Sequence, residues 1–204
     1  METERRAYRL GARAAAVDKT RSKIVEAAID AFLAGWYDEV TLRQVANDAG
    51  VALATVVNHF GTKEQLFAAG VDTLQPRIEA LRDTATPDDL SAAVAIVVAH
   101  YEATGDAIIR ALAMEDRVPA LAPVLARGRR FHRVWVERVF APLLADVPSG
   151  TCRRRAVAGY VTALDVYVWK RLRRDLGLSR VDTVAVMQDL AAGLGTQRTE
   201  QSDE

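Results

Sequence analysis

Arg43, Gln44 and Asn58 carry hydrogen-bonding ends that match base edges in a DNA duplex. An arginine can bond guanine O6 and N7 together, and an asparagine can do the same with adenine N6 and N7. Asn58 lies in an almost uncharged stretch, GVALATVVNHFGTKEQLF, from Gly50 to Phe67. If Val56 and Phe60 turn inward on a helix, Ala54 and Asn58 fall on the opposite face, with Thr55 and Val57 beside them. The small apolar side chains along it, Ala52, Leu53, Ala54 and Val57, let such a helix sit deep in a major groove and touch thymine methyl groups. Polar specificity then rests mainly on Arg43, Gln44 and Asn58, and the remainder on shape.

Two short helices must hold these groups. The segment TLRQ, Thr41 to Gln44, has capping-box spacing: the threonine hydroxyl accepts a backbone N–H and the glutamine reaches back. That helix ends at Gly50, and a third, from about Ala52 to Phe60, follows within a few residues. Before them, Asp18 or Thr20 can cap a first helix with Ile24, Ala28, Ala31 and Phe32 on one face, stopped by Gly35, with Trp36 folding back onto the core. After them, Thr62 and Gln65 offer a second capping box for a fourth helix, which Pro76 should end or kink. Val45, Ala46, Val51, Val56 and Phe60 supply a small core. Spacing alone allows either a helix-turn-helix or a plain αα-hairpin.

The whole chain bounds the reading. It has 204 residues with 27 basic and 27 acidic side chains, which excludes a generally polycationic nucleic-acid binder while leaving room for a local patch. A single cysteine, Cys152, excludes an internal disulfide. The opening METERRAYRL lacks the apolar core of a signal peptide, and the run AAVAIVVA from Ala92 to Ala99 is too short to span a bilayer. The expectation is a cytoplasmic protein with no membrane partner. Enzyme signatures are missing: there is no phosphate-cradling GxxxxGK[ST], no GxSxG, and no zinc spacing among His59, His100, His132 and Cys152. No cofactor or metal is expected, and no catalytic residue.

Residues 20 to 67 resemble the DNA-binding domain of TetR-family transcriptional regulators. The likeness lies in the Ala-rich first helix closed by Phe32 and Gly35-aromatic, in Thr41, in QVANDAGV, in Thr55 before an aliphatic, in HF, and in a lysine opening the fourth helix. The resemblance implies a dimeric regulator whose third helix enters the major groove of a palindromic operator. It implies that Thr41, Arg43, Gln44, Thr55, His59 and Lys63 touch phosphates or bases, and that a larger C-terminal domain binds a small molecule. The chain departs from the family pattern at Ala52, where a Ser or Thr cap is usual, and at Val57, where a Tyr is usual. An N-terminal arm, residues 1 to 17, reads as loose. Up to Lys23 there are seven basic side chains (Arg5, Arg6, Arg9, Arg13, Lys19, Arg21, Lys23) against three acids, so the arm could lie on phosphates or in a minor groove.

The expected organisation is all-α: the arm, a helix-turn-helix domain over 18–75, a helical ligand-binding and dimerisation domain over 76–195, and a disordered tail over 196–204. Helices are expected near 88–103, 105–116, 120–145, 150–176 and 180–195. Aromatic and polar groups that could line an effector pocket are His100, Tyr101, Met114, Trp135, Tyr160, Asp165 and Trp169, although each could equally be core. Small-residue stripes at Ala156, Gly159, Tyr160, Ala163 and Leu164, and at Val184, Met187, Ala191 and Leu194, suit either a homodimer interface through the last two helices or internal core. The basic clusters CRRRA and KRLRRD read as solvated or salt-bridged faces. The reading is a homodimeric, sequence-specific regulator, a repressor released from its operator by a small apolar ligand. The alternative is a helical ligand- or partner-binding module with a degenerate helix-turn-helix, and an all-helical enzyme is a weaker third.

Overall fold

The computed structural model describes the backbone of residues 2–87 and 89–200 and the side chains of residues 15–87 and 89–194. The described residues form helices and no strand. The chain divides into two compact units, Met1–Pro76 and Arg77–Glu204.

In the first unit, α1 (Glu2–Ala34), α2 (Leu42–Asp48), α3 (Leu53–Phe60) and the start of α4 (Lys63–Asp83) enclose one apolar core. Ile24, Val25, Ala28 and Ile29 from α1 meet Val45 and Ala46 from α2, Val56 and Phe60 from α3, and Leu66 from α4. The loose arm over 1–17 is not found as expected, because α1 is continuous from Glu2. Its Ala, Arg, Glu and Leu are strong helix formers, and no proline interrupts them. The side chains of Arg5, Arg6, Arg9 and Arg13 lie outside the described residues. Gly35 does end α1, but Trp36 stays 40% exposed and Tyr37 takes the buried place beside it.

In the second unit, α5 (Leu90–Met114) lies at the centre, packed by α6 (Leu121–Val139), α9 (Val166–Lys170) and α10 (Arg180–Glu200). Two shorter helices, α7 (Ala141–Leu144) and α8 (Thr151–Ala163), complete the unit, and α9 runs into a π-helical turn, Arg171–Asp175. By length and composition α5 could cross a membrane, but Ala93, Val94, Val97, Val98 and Tyr101 on it are core residues.

Several boundaries differ from expectation, each for a local reason. Gly105 does not break α5. It is where the Trp169 ring lies against the helix: a methyl there would sit 2.7 Å from Trp169 Cη2 and closer still to Cζ3. The single helix expected over 150–176 is instead two, because the Asp165 carboxylate caps α9 by accepting the Tyr167 N–H at 2.8 Å. The carbonyls freed at the end of α8 are taken by His132 (Val161 O, 3.2 Å) and by the Tyr101 hydroxyl (Leu164 O, 3.1 Å). The 120–145 helix breaks at Phe140, since Pro142 has no N–H to continue the ladder. Pro76 does not end α4, which continues to Asp83. The helix α10 runs to Glu200, past the expected start of a disordered tail, and residues 201–204 lie outside the described residues.

The stripes assigned to a dimer interface pack within the chain. Ala156, Tyr160, Leu164, Met187 and Ala191 belong to one buried cluster, with Leu194 and Val184 against it. Gly159 admits the Leu194 side chain, whose Cδ atoms would lie 3.3 Å from an added methyl. The basic cluster after Trp169 is salt-bridged as expected, with Lys170 on Asp175, Arg173 on Glu102 and Arg174 on Asp106.

Candidate nucleic-acid interface

The two short helices join through a tight turn. Gly50 has φ 66°, a left-handed conformation that suits glycine, and the Val51 N–H donates to Ala46 O at 2.9 Å. Thr41 caps α2 by accepting the Gln44 N–H at 3.1 Å. Thr62 and Gln65 form the reciprocal box that opens α4: the Gln65 N–H donates to Thr62 Oγ1 and the Thr62 N–H to Gln65 Oε1. The helix α3 has no side-chain cap, as Ala52 predicts, yet it forms because Val56 and Phe60 are buried beneath it.

Burying that face presents the other one. Ala54, Val57 and Asn58 are exposed on α3, and Arg43 and Gln44 on the first turn of α2. Val57 is 43% exposed despite being aliphatic, the arrangement expected of a side chain that meets a partner surface rather than its own core. Thr41 is exposed, while Thr55 and His59 are half-buried. Leu53 is turned partly inward, packed against the core.

Lys63 is placed differently from a lysine free to meet a phosphate. Its ammonium donates to three carbonyls of the α1–α2 loop, Tyr37 O at 2.9 Å, Val40 O at 3.1 Å and Asp38 O at 3.3 Å, and lies 4.7 Å from the centre of the Tyr37 ring. An ammonium has three N–H donors, so this loop engages all of them. Lys63 thereby fixes the loop that ends at the α2 cap, and so the position of Thr41, Arg43 and Gln44.

Sequence reasoning missed the rest of this brace. Tyr37 stacks on Phe32 at 5.7 Å, Phe67 meets both edge-on at 5.0 and 5.2 Å, and the Tyr37 hydroxyl donates to Glu64 at 3.4 Å. Burial, and then the Glu64 carboxylate, push the Tyr37 phenol up to about 12, so it remains a donor. The available signal was the spacing of Phe32, Tyr37 and Phe67 around Gly35. Arg21 on α1 lies 4.9 Å over the Phe60 ring, beside the end of α3.

The expected effector-pocket residues come together only in part. Tyr101, Trp135, Tyr160 and Trp169 share one buried cluster, and His100 stacks on Tyr101 at 5.1 Å. Met114 is buried at the end of α5, outside that cluster, and Asp165 is a helix cap. The indole N–H groups are engaged, Trp135 with Arg82 O at 2.8 Å and Trp169 with Glu102 at 2.9 Å. The residue sequence reasoning did not single out is Arg82, fully buried among them. Among the described residues no His, Cys, Asp and Glu group could hold a metal ion.

A short helix set on a glycine turn, with its inner face buried and a polar-and-methyl outer face, defines a helix-turn-helix domain, here followed by a larger helical unit. Residues 24–69 match the sequence model described as "Bacterial regulatory proteins, tetR family". That stretch is therefore a TetR-family helix-turn-helix domain. Solved structures share the chain's fold at low sequence identity. A Rhodococcus sp. protein assigned to the TetR-family regulators is 16% identical with a TM-score of 0.68, covering 87% of this chain and 98% of that one. A TetR transcription regulator from Haloarcula marismortui is 16% identical with a TM-score of 0.67, over 88% of this chain and 98% of that one. The multidrug binding protein EbrR, complexed with imidazole, is 20% identical with a TM-score of 0.57, over 84% and 89%. Among curated protein sequences none matches the chain.

Proposed function

We propose that the protein is a cytoplasmic homodimeric repressor, without enzymatic activity, that holds a palindromic operator through α2 and α3 and leaves it when the second unit binds a small molecule. The observation that carries the DNA half is the exposed surface of Ala54, Val57 and Asn58 beside Arg43 and Gln44. Arg43 and Asn58 read base edges, Ala54 and Val57 contact thymine methyl groups, and Thr41, Thr55 and His59 meet the backbone. Lys63 acts by positioning α2. Half-sites lie about one helical turn, or a multiple of it, apart. The multidrug binding protein of the same fold supports a small-molecule effector. An effector coupling of about 1–3 kcal/mol changes operator affinity roughly 5- to 150-fold, and DNA weakens the effector by the same factor.

The test is to pass the purified protein over fragmented DNA of its own genome near physiological salt and sequence what is retained. Enrichment of a short palindrome supports the reading. Retention without a common sequence, or no retention, overturns it in favour of a helical module whose helix-turn-helix no longer reads DNA.

A further inference from the structure

Arg82, in the last turn of α4, is 1% exposed, and among the described residues no carboxylate pairs with its guanidinium. Three other arginines of this unit have one: Arg173 binds Glu102, Arg174 binds Asp106 and Arg138 binds Asp83. Asp83, the acid next to Arg82 in sequence, is thus engaged elsewhere. A charge taken out of water without a counter-charge is strongly unfavourable. Partial compensation comes from the Trp135 and Tyr101 rings, 4.6 and 5.5 Å from the guanidinium carbon.

The hydrogen bonds determine the protonation around it. Arg82 Nε and Nη2 both donate to His100 Nδ1, at 3.2 and 2.9 Å. Arginine cannot accept, so His100 Nδ1 is the acceptor and its proton is on Nε2. His132 Nε2 faces the Val161 carbonyl, so its proton is on Nε2 and Nδ1 is a bare acceptor. Burial and the Arg82 charge hold His100 down to about 3 and His132 down to about 4, so both rings are neutral. Arg82 Nη1, His100 Nε2 and His132 Nδ1 are all buried and have no hydrogen-bond partner among the described residues. Two donors, one on a full positive charge, and one acceptor are therefore unmatched among the described residues, and the charged one, Arg82 Nη1, belongs to the guanidinium that lies on the Trp135 and Tyr101 rings.

We propose that the effector is an organic acid whose carboxylate is received by Arg82 Nη1, the guanidinium nitrogen turned away from His100, with its apolar body against the Trp135 and Tyr101 side of the core. This rests on the effector-responsive reading above and adds the chemical class of the ligand. The sequence-based expectation of a small apolar ligand is thereby narrowed to one with an anionic end.

The experiment uses the full chain without DNA. Straight-chain acids from acetate to decanoate, benzoate and phenylacetate are each titrated beside the matching primary amide, following thermal stability and tryptophan fluorescence. Inorganic phosphate and chloride form a separate arm. At least one acid is expected to bind about 10- to 100-fold more tightly than its amide, the difference between a charge-assisted and a neutral pairing. Arg82→Met and the milder Arg82→Lys should reduce that preference. Acids and amides binding alike, no acid binding, or phosphate or chloride alone reproducing the full effect each overturns the proposal, and these comparisons on the unsubstituted protein stand even if Arg82→Met does not fold. A neutral compound that releases operator DNA where no acid binds would refute the organic acid and keep the regulator. Arg82-dependent acid binding in a protein that retains no DNA palindrome would do the reverse.

Discussion

Replacing Lys63 with Met keeps the methylene stem and removes the ammonium that joins α4 to the α1–α2 loop. Of its three carbonyl bonds, those to Tyr37 and Val40 are partly buried and that to Asp38 is exposed. Counting only the first two, at about 1 kcal/mol each because the site is half in water, gives a loss of about 2 kcal/mol. For a unit the size of Met1–Pro76, that corresponds to a melting point lower by roughly 8–16 °C. The assay pairs a circular-dichroism melt with operator affinity measured across a salt series. Because the ammonium holds the loop, stability should fall while the slope of log affinity against log salt stays as in the parent. A lysine on phosphate would behave in the opposite way, losing about 0.9 from that slope with no change in melting. A stable Lys63→Met protein with a shallower slope would refute the loop-holding role.

Other substitutions separate the remaining claims. Arg43→Ala should relax preference at one base position by about 1–3 kcal/mol, and equal weakening on every sequence would remove it from base reading. Ala52→Ser should stabilise the first unit by about 1 kcal/mol in a denaturant titration, because Ala52 already holds the extended backbone of an N-cap (φ −70°, ψ 147°). Gly105→Ala should destabilise the second unit by about 1–3 kcal/mol or more, since the methyl collides with the Trp169 ring; an unchanged midpoint would mean that the ring can move away. His100 and His132 stay neutral in the folded chain down to about 3 and about 4, whereas in the unfolded chain they protonate near the ordinary 6.5. Their contribution is complete above about pH 6.5 and is lost as pH falls, by up to about 1.4 kcal/mol per pH unit for each histidine. Urea midpoints that stay flat between about pH 7 and 5 would contradict their neutral burial.

Much of the first unit was legible because its signals are local. Capping boxes at Thr41 and Thr62, a glycine at the turn, and Val56 and Phe60 four residues apart define two short helices and which side of α3 is outward. Once Val56 and Phe60 are inward, the exposure of Ala54, Val57 and Asn58 follows from helical period alone. The family resemblance also lies in this short stretch. Lys63 was legible as a residue type at a place in a motif, but the direction of its ammonium depends on carbonyls 23 to 26 residues away.

In the second unit the sequence by itself determined that long apolar-faced helices would build a core, and that Arg173 and Arg174 would lie on a charged face. Only tertiary structure decided that Gly105 is a contact rather than a break, since a helix tolerates a glycine and its use here depends on a tryptophan 64 residues later. The same holds for Asp165, whose carboxylate could cap a helix or face a ligand until the end of α8 is placed. It holds for the Ala156–Leu164 and Met187–Leu194 stripes, because a buried stripe looks the same whether its partner is the same chain or another copy. Arg82 is the clearest case. An arginine near the end of an amphipathic helix reads as solvated, and only the arrival of Trp135, Tyr101 and His100 from two other helices takes its charge out of water.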